Sequence, residues 1–120
     1  MSLKVYCYDK CGTCKKAFAY LERNHIAFDK IPIRETPPTK TAIKKMLSHY
    51  DGAIKKLFNT SSKDYKEGNY KERIDTLTRD QVAQILSTHG NLVKRPFVLG
   101  EDFGLVGFKE AQWDAVFRPR

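Results

Sequence analysis

All three cysteines of this chain fall in one short stretch, "YCYDKCGTC", as Cys7, Cys11 and Cys14. Thiols so close together serve one of three chemistries: a metal cage, a disulfide pair, or a nucleophile with helpers. The spacing Cys-x3-Cys-x2-Cys is the one that holds a four-iron cluster in radical enzymes that use S-adenosylmethionine. Those enzymes surround the cluster with a large partial barrel, which 120 residues do not supply. Cys7 also belongs to a strand pattern while Cys11 and Cys14 open a helical one, a poor cage. A zinc site wants four ligands. The nearest fourth candidate, His25, lies beyond the first helix and reads as a solvated loop residue.

The box Cys11-Gly12-Thr13-Cys14 points instead to thiol–disulfide chemistry. It follows a strand and opens a helix, where unpaired N–H groups and the positive helix end favour a thiolate. Lys10, Lys15 and Lys16 add positive charge, and the thiolate is the nucleophilic form. Cys11 is therefore read as the attacking thiol. Gly12 lets the backbone turn tightly and Thr13 offers a hydroxyl. Cys14 stands one helical turn on, placed to close a disulfide with Cys11. Cys7 reads as a core residue at the end of the first strand.

The elements that position this box follow from periodicity. "LKVYCY" alternates as a strand with Leu3, Val5 and Cys7 on one face. Gly12 to Asn24 reads as a helix with Ala17, Phe18 and Leu21 inward, and "AFDKIPI" as a second strand. A strand–helix–strand unit of this length implies parallel strands with a right-handed crossover. Ile43, Met46, Leu47 and Tyr50 mark a further helix that Asp51-Gly52 ends. "AIKKLF" reads as a short helix and "NTSSKDYKEGN" as a polar loop with a turn of helix. Thr78 with Gln81 forms a capping box for a helix that buries Val82, Ile85 and Leu86 and stops at Gly90. "RPFVLG" and "GLVGF" form a hairpin, and "KEAQWDAVF" a last helix. His49 and His89 lie on or near amphipathic helices and read as structural. The order predicts an α/β fold: a four-stranded mixed sheet with a helical insertion, approximately residues 37–90, between strands 2 and 3. One domain is expected to span 1–120.

Apolar residues make up 41% and charged residues 30%, a composition of soluble proteins, and no apolar run reaches the length of a membrane span. The expected location is the cytoplasm, where clustered thiols react or sense rather than staple a fold. The net charge of +8 favours anionic partners. The lysines are dispersed, however, and no nucleic-acid reader motif is present, so no direct nucleic-acid binding is expected.

"KVYCYDKCGTCKKAFAYLERNHI", "LFNTSSKDYKE" and "LVKRPFVLGEDFGLVGFKEAQW" resemble, in that order, three landmarks of the arsenate reductase-like family. This is a thioredoxin-fold family that includes glutaredoxin-linked arsenate reductases and Spx-type regulators of RNA polymerase. The resemblance covers nearly the whole chain. It implies that Cys11 is the cysteine that attacks the oxyanion, that Arg95 helps hold the anion, and that Pro96 is cis. A guanidinium suits an oxyanion, because its planar fork is always charged.

Three departures bear on arsenate. Cys14 stands where the reductases carry serine, and Cys7 where they carry a histidine. Two further anion-holding arginines are missing: Asn59 or a neighbour occupies one region, and "FGLVGF" offers none in the other. Lysines such as Lys10 or Lys94 are the remaining cations. The Spx-type regulators share the CxxC box, used as a redox switch. The expected function is a thiol–disulfide oxidoreductase with Cys11, Cys14 and Arg95 catalytic and with Gly12, Thr13 and Pro96 shaping the pocket. It would need no bound cofactor or metal and would draw reducing equivalents from a small glutathione-like thiol or a redoxin. The alternative is a redox-sensing regulator that binds the RNA polymerase alpha subunit.

Overall fold

The strict alternation of the first strand decides how the sheet is covered. In β1 (Leu3–Cys7), Val5 and Cys7 are buried on one side, while Tyr6 packs into a separate cluster on the other. The computed structural model describes residues 3–118. After β1 the chain folds back at once, with the Cys11 amide donating to the Tyr8 carbonyl at 2.9 Å. Helix α1 (Gly12–Arg23) then runs along the Val5 face. Its inward stripe, Cys14, Ala17, Phe18 and Leu21, keeps the 3-and-4 spacing of an amphipathic helix. Asn24 ends it, and the Asn24 side-chain amide donates to the Tyr20 carbonyl at 2.9 Å.

Strand β2 (Phe28–Pro32) pairs parallel with β1, from Leu3 opposite Phe28 to Cys7 opposite Pro32. Strands β3 (Phe97–Leu99) and β4 (Gly104–Val106) form the expected hairpin, and β3 pairs antiparallel with β1. The sheet order is β2-β1-β3-β4, a mixed four-stranded sheet of thioredoxin type. Helix α6 (Glu110–Phe117) returns to the α1 face, where Trp113 is fully buried and its indole N–H donates to the Gly107 carbonyl at 3.1 Å.

The opposite face is covered by the insertion. It contains α2 (Lys40–His49), a 3-10 turn (Ile54–Leu57), α3 (Lys63–Glu67), α4 (Tyr70–Arg73) and α5 (Arg79–Thr88). The capping box at α5 is present in both directions, with Thr78 and Gln81 exchanging bonds of 3.1 and 2.8 Å. Within α5, Ala83 is buried with Val82 and Leu86, whereas Ile85 is only half-buried.

The stretch "NTSSKDYKEGN" is more ordered than its polar composition implies. Ser62 caps α3 by accepting from the Tyr65 amide at 3.1 Å, and the Tyr65 ring is buried against Phe58 and Tyr70. Burial of three aromatic rings outweighs the polar residues around them. Gly90, after α5, passes so close to β2's exit that an added Cβ would lie 1.9 Å from the Ile33 carbonyl oxygen. Only glycine permits that approach.

Candidate functional site

Two segments far apart in sequence meet where β1 gives way to α1. From one side comes the N-terminus of α1, with Cys11 as its N-cap residue. No side chain caps this helix and its first turn holds no acidic residue. Its free N–H groups and dipole therefore favour an anion in the space in front of them. From the other side comes the end of the insertion, with Lys94 and Arg95 ahead of β3. The Arg95–Pro96 peptide bond is cis, as the family resemblance implies. Between the two lies a cleft of about 310 Å³ lined by Cys11, Thr13, Lys94 and Arg95. Asn59, Ser61 and Ser62 complete its wall.

Arg95 is held by stacking rather than by ion pairing: its guanidinium carbon lies 5.1 Å from the centroid of the Tyr8 ring. Arg34 approaches the same ring at 5.0 Å. Two guanidinium groups thus share one tyrosine ring beside the thiols. Arg95 Nη1 is buried and has no hydrogen-bond partner. A buried donor without a partner is rare and costly.

The cysteines differ sharply in access. Cys11 is half-exposed, whereas Cys7 and Cys14 are buried. A hydrogen bond with Cys7, followed by burial, pushes the Cys14 thiol well above the ordinary range. The same bond, from Cys14, pulls the Cys7 thiol below it, although burial opposes the shift. Cys7 also contacts the Val5 carbonyl at 3.5 Å.

Several sequence expectations need correction in detail. Gly12 does not line the cleft, its φ is not left-handed, and an added Cβ would meet nothing within 4 Å. The tight turn is made by residues 8–11, so a glycine is not required at position 12. Pro96 is buried behind the cleft rather than on its wall. Lys94 lines the Cys11 cleft, but Lys10 faces a different one, described below. His25 sits at the far end of α1, which at 1.5 Å per residue is about 18 Å long. Among the described residues, no group of three His, Cys, Asp or Glu side chains is arranged to hold a metal ion. His49 is exposed, and His89 is exposed with its ring bonded to Thr88 and Ile85.

A larger cleft of about 740 Å³ lies alongside, between Tyr50, Lys55, Lys56 and Lys109, and shares Lys94 with the Cys11 cleft. It holds no thiol, and volume alone does not identify the reacting site.

A family model for ArsC proteins matches residues 6–116. The chain belongs to the ArsC family. YusI of Bacillus subtilis (strain 168) is 40% identical over 114 residues, covering 95% of this chain and 97% of YusI. A crystal structure of an ArsC-family related protein from Bacteroides fragilis superposes with a TM-score of 0.88 at 36% identity, covering 97% and 99% of the two chains. The global transcriptional regulator Spx of Streptococcus agalactiae is 25% identical over 118 residues, covering 98% of this chain and 84% of Spx.

Within this ArsC-family frame, the structure brings together Cys11, Thr13 and Arg95 and keeps Cys14 directly behind them. Three contributors escaped the sequence reading: Tyr8, Arg34 and the Ser61–Ser62 pair. Tyr8 had a usable signal, since it follows Cys7 on the alternate face of β1 and must point toward the insertion. Arg34 meets Tyr8 through the register of β1 with β2, whereas for the serines no local pattern exists, because their nearness depends on how the insertion folds back.

Proposed function

We propose that the chain is a thiol–disulfide oxidoreductase acting on anionic disulfides. Cys11 Sγ attacks one sulfur of the substrate and forms a mixed disulfide, and the other sulfur leaves with the electron pair and takes a proton. Cys14, which gives up its own proton, then attacks Cys11 Sγ and expels the second thiol, leaving Cys11–Cys14 oxidised. A small thiol or a redoxin restores the dithiol. The observation that carries this reading is the meeting of Cys11 and Arg95 on the wall of one cleft. An anionic group on the substrate pairs with the Arg95 guanidinium there, and Thr13 and Lys94 line the same cleft.

The test is reduction of a glutathionylated peptide by the reduced protein. Cys11→Ser should abolish it, and Cys14→Ser should stall at a mixed disulfide on Cys11. Removing a charged hydrogen-bonding group costs about 1.5–3 kcal/mol, so Arg95→Ala should lower kcat/KM by roughly one to two orders of magnitude. Arsenate turnover should be absent or very weak, because one arginine and one lysine line the cleft where the reductases are expected to offer three arginines. Undiminished turnover in Cys11→Ser would sink the proposal.

A second reading has one specific support, the alignment with Spx along 98% of this chain. In that reading the box is a redox switch and the protein binds the RNA polymerase alpha subunit. Retention of that subunit on the immobilised protein, coupled with no disulfide turnover, would favour the regulator.

A further inference from the structure

Cys14 does not face Cys11 alone. Cys7 is the last inward residue of β1, on the same face as Val5, and Cys14 is the first buried residue on the inward stripe of α1. Strand parity and helix periodicity thus aim both thiols into one layer, where both are buried in the cluster around Ala17, Leu21 and Val98. Cys11 packs against the same cluster, so Cys14 has both other thiols as neighbours. The two outer thiols open onto different spaces. Cys11 lines the cleft with Arg95, and Cys7 lines a separate cleft of about 510 Å³ with Tyr8, Lys10, Lys30 and Glu35.

We propose that Cys7 is a third redox-active thiol, which takes the disulfide from the CxxC box by internal exchange through Cys14. This rests on the oxidoreductase reading for how the box becomes oxidised, but the exchange step is independent of it. Cys7 Sγ, having released its proton, attacks Cys14 Sγ of the Cys11–Cys14 disulfide. The Cys7–Cys14 bond forms, the Cys14–Cys11 bond breaks, and the electron pair leaves on Cys11 Sγ, which takes up a proton. The number of disulfides is unchanged, so no further oxidant or reductant is consumed.

Exchange requires a thiolate aligned on a disulfide sulfur and a leaving sulfur that tolerates charge. The layer shared by Cys7 and Cys14 under α1 supplies the first. Departure at the uncapped start of α1, where free N–H groups point, supplies the second. The outcome is a buried disulfide and a free Cys11, ready for a second substrate. The stored oxidation can be discharged at Cys7 through its own cleft.

The sequence makes the exchange easy to read. Trypsin cutting after Lys4, Lys10 and Lys15 leaves Cys7 in residues 5–10 and both box cysteines in residues 11–15. The wild-type protein is oxidised with one equivalent of diamide, sampled over time, trapped with an alkylating agent at acid pH and mapped without reduction. An internal disulfide in residues 11–15 should appear first. It should then give way to a cross-link between residues 5–10 and Cys14, with Cys11 becoming alkylated as the cross-link grows. Cys7→Ala should hold the oxidation in residues 11–15. A wild-type map that stays at Cys11–Cys14, or a cross-link that joins Cys7 to Cys11, would overturn the relay. Because diamide bypasses the substrate, a protein that relays but fails on the glutathionylated peptide refutes only the oxidoreductase reading. One that turns over the peptide without a Cys7–Cys14 link refutes only the relay.

Discussion

The two faces of the sheet are built from different materials and serve the site differently. The face covered by α1 and α6 is aromatic: Tyr20, Phe108, Trp113 and Phe117 pack edge-on and tilted around one another, with centroids 5.0–6.3 Å apart. It also holds the buried thiols Cys7 and Cys14. The face covered by the insertion is mostly aliphatic, with Ile43, Met46, Leu47, Leu86, Leu92 and Val93 at or near zero exposure. It presents Asn59, Lys94 and Arg95 to the cleft. Sequence neighbours divide between the two, since Cys7 turns to the thiol face and Tyr8 packs toward the insertion. On the proposed reading, the reacting thiols belong to the strand–helix unit, and most of the cleft wall that would meet an anion comes from the insertion and the residues just after it. A change of substrate within such a fold needs only the second face to change.

The largest expected effect tests whether the faces are mechanically separate. Leu86 on α5 is fully buried on the insertion face, and a buried Leu→Ala change costs about 2–5 kcal/mol. Trp113 is the single tryptophan of the chain and is buried on the opposite face, so its fluorescence reports that face alone. Because β1 and β3 are shared, Leu86→Ala should lower the urea midpoint by the same amount in tryptophan fluorescence and in far-ultraviolet circular dichroism. A fluorescence transition left at the wild-type midpoint would mean that the faces unfold independently.

Much of this division was legible in the sequence, and what was missed has a physical pattern. The alternation of β1, the stripe of α1, the hairpin and the Thr78–Gln81 box are local, and each is written within a dozen residues. The position of the box at a strand–helix junction was readable for the same reason. Assembly of the anion side was only partly legible, because Ser61 and Ser62 reach the cleft only after the insertion closes, and Arg34 meets Tyr8 through the β1–β2 register. Cys7 is an intermediate case. Its parity and that of Cys14 were both readable, but that they share one buried layer depends on how α1 packs on the sheet.

A smaller effect concerns the thiol face itself. Tyr20 is buried and donates to Asp114 Oδ1 at 2.6 Å, tying α1 to α6. Burial, and then the Asp114 carboxylate, pushes its phenol up from about 10 to about 12. A raised acid is favoured in its neutral form by the fold. Its stabilising contribution is complete below pH 10 and is lost as pH climbs through about 12. Tyr20→Phe should cost about 1 kcal/mol near neutral pH. It should also flatten the loss of stability between about pH 10 and 12 relative to wild type, measured by urea unfolding at each pH. Parallel curves for the two proteins would mean that Tyr20 does not carry the alkaline limb.

The smallest effect lies at the seam between the faces, inside the box. Gly12 is the first residue of α1, is exposed, has no left-handed φ and has open space where a Cβ would sit. Replacing such a glycine restricts the unfolded chain without straining the folded one, a gain of about 0.5 kcal/mol. Gly12→Ala should therefore raise the urea midpoint slightly and leave the alkylation rate of Cys11 unchanged. Turnover of the glutathionylated peptide is the sharper measurement. If the cleft side of the box does all the recognition, turnover should also be unchanged, because Gly12 does not line that cleft. A marked fall in turnover with intact Cys11 alkylation would show that the substrate or reductant lies across the outer surface of α1 at Gly12. The thiol face would then choose partners as well as react with them, and the separation of the two faces would fail at that point.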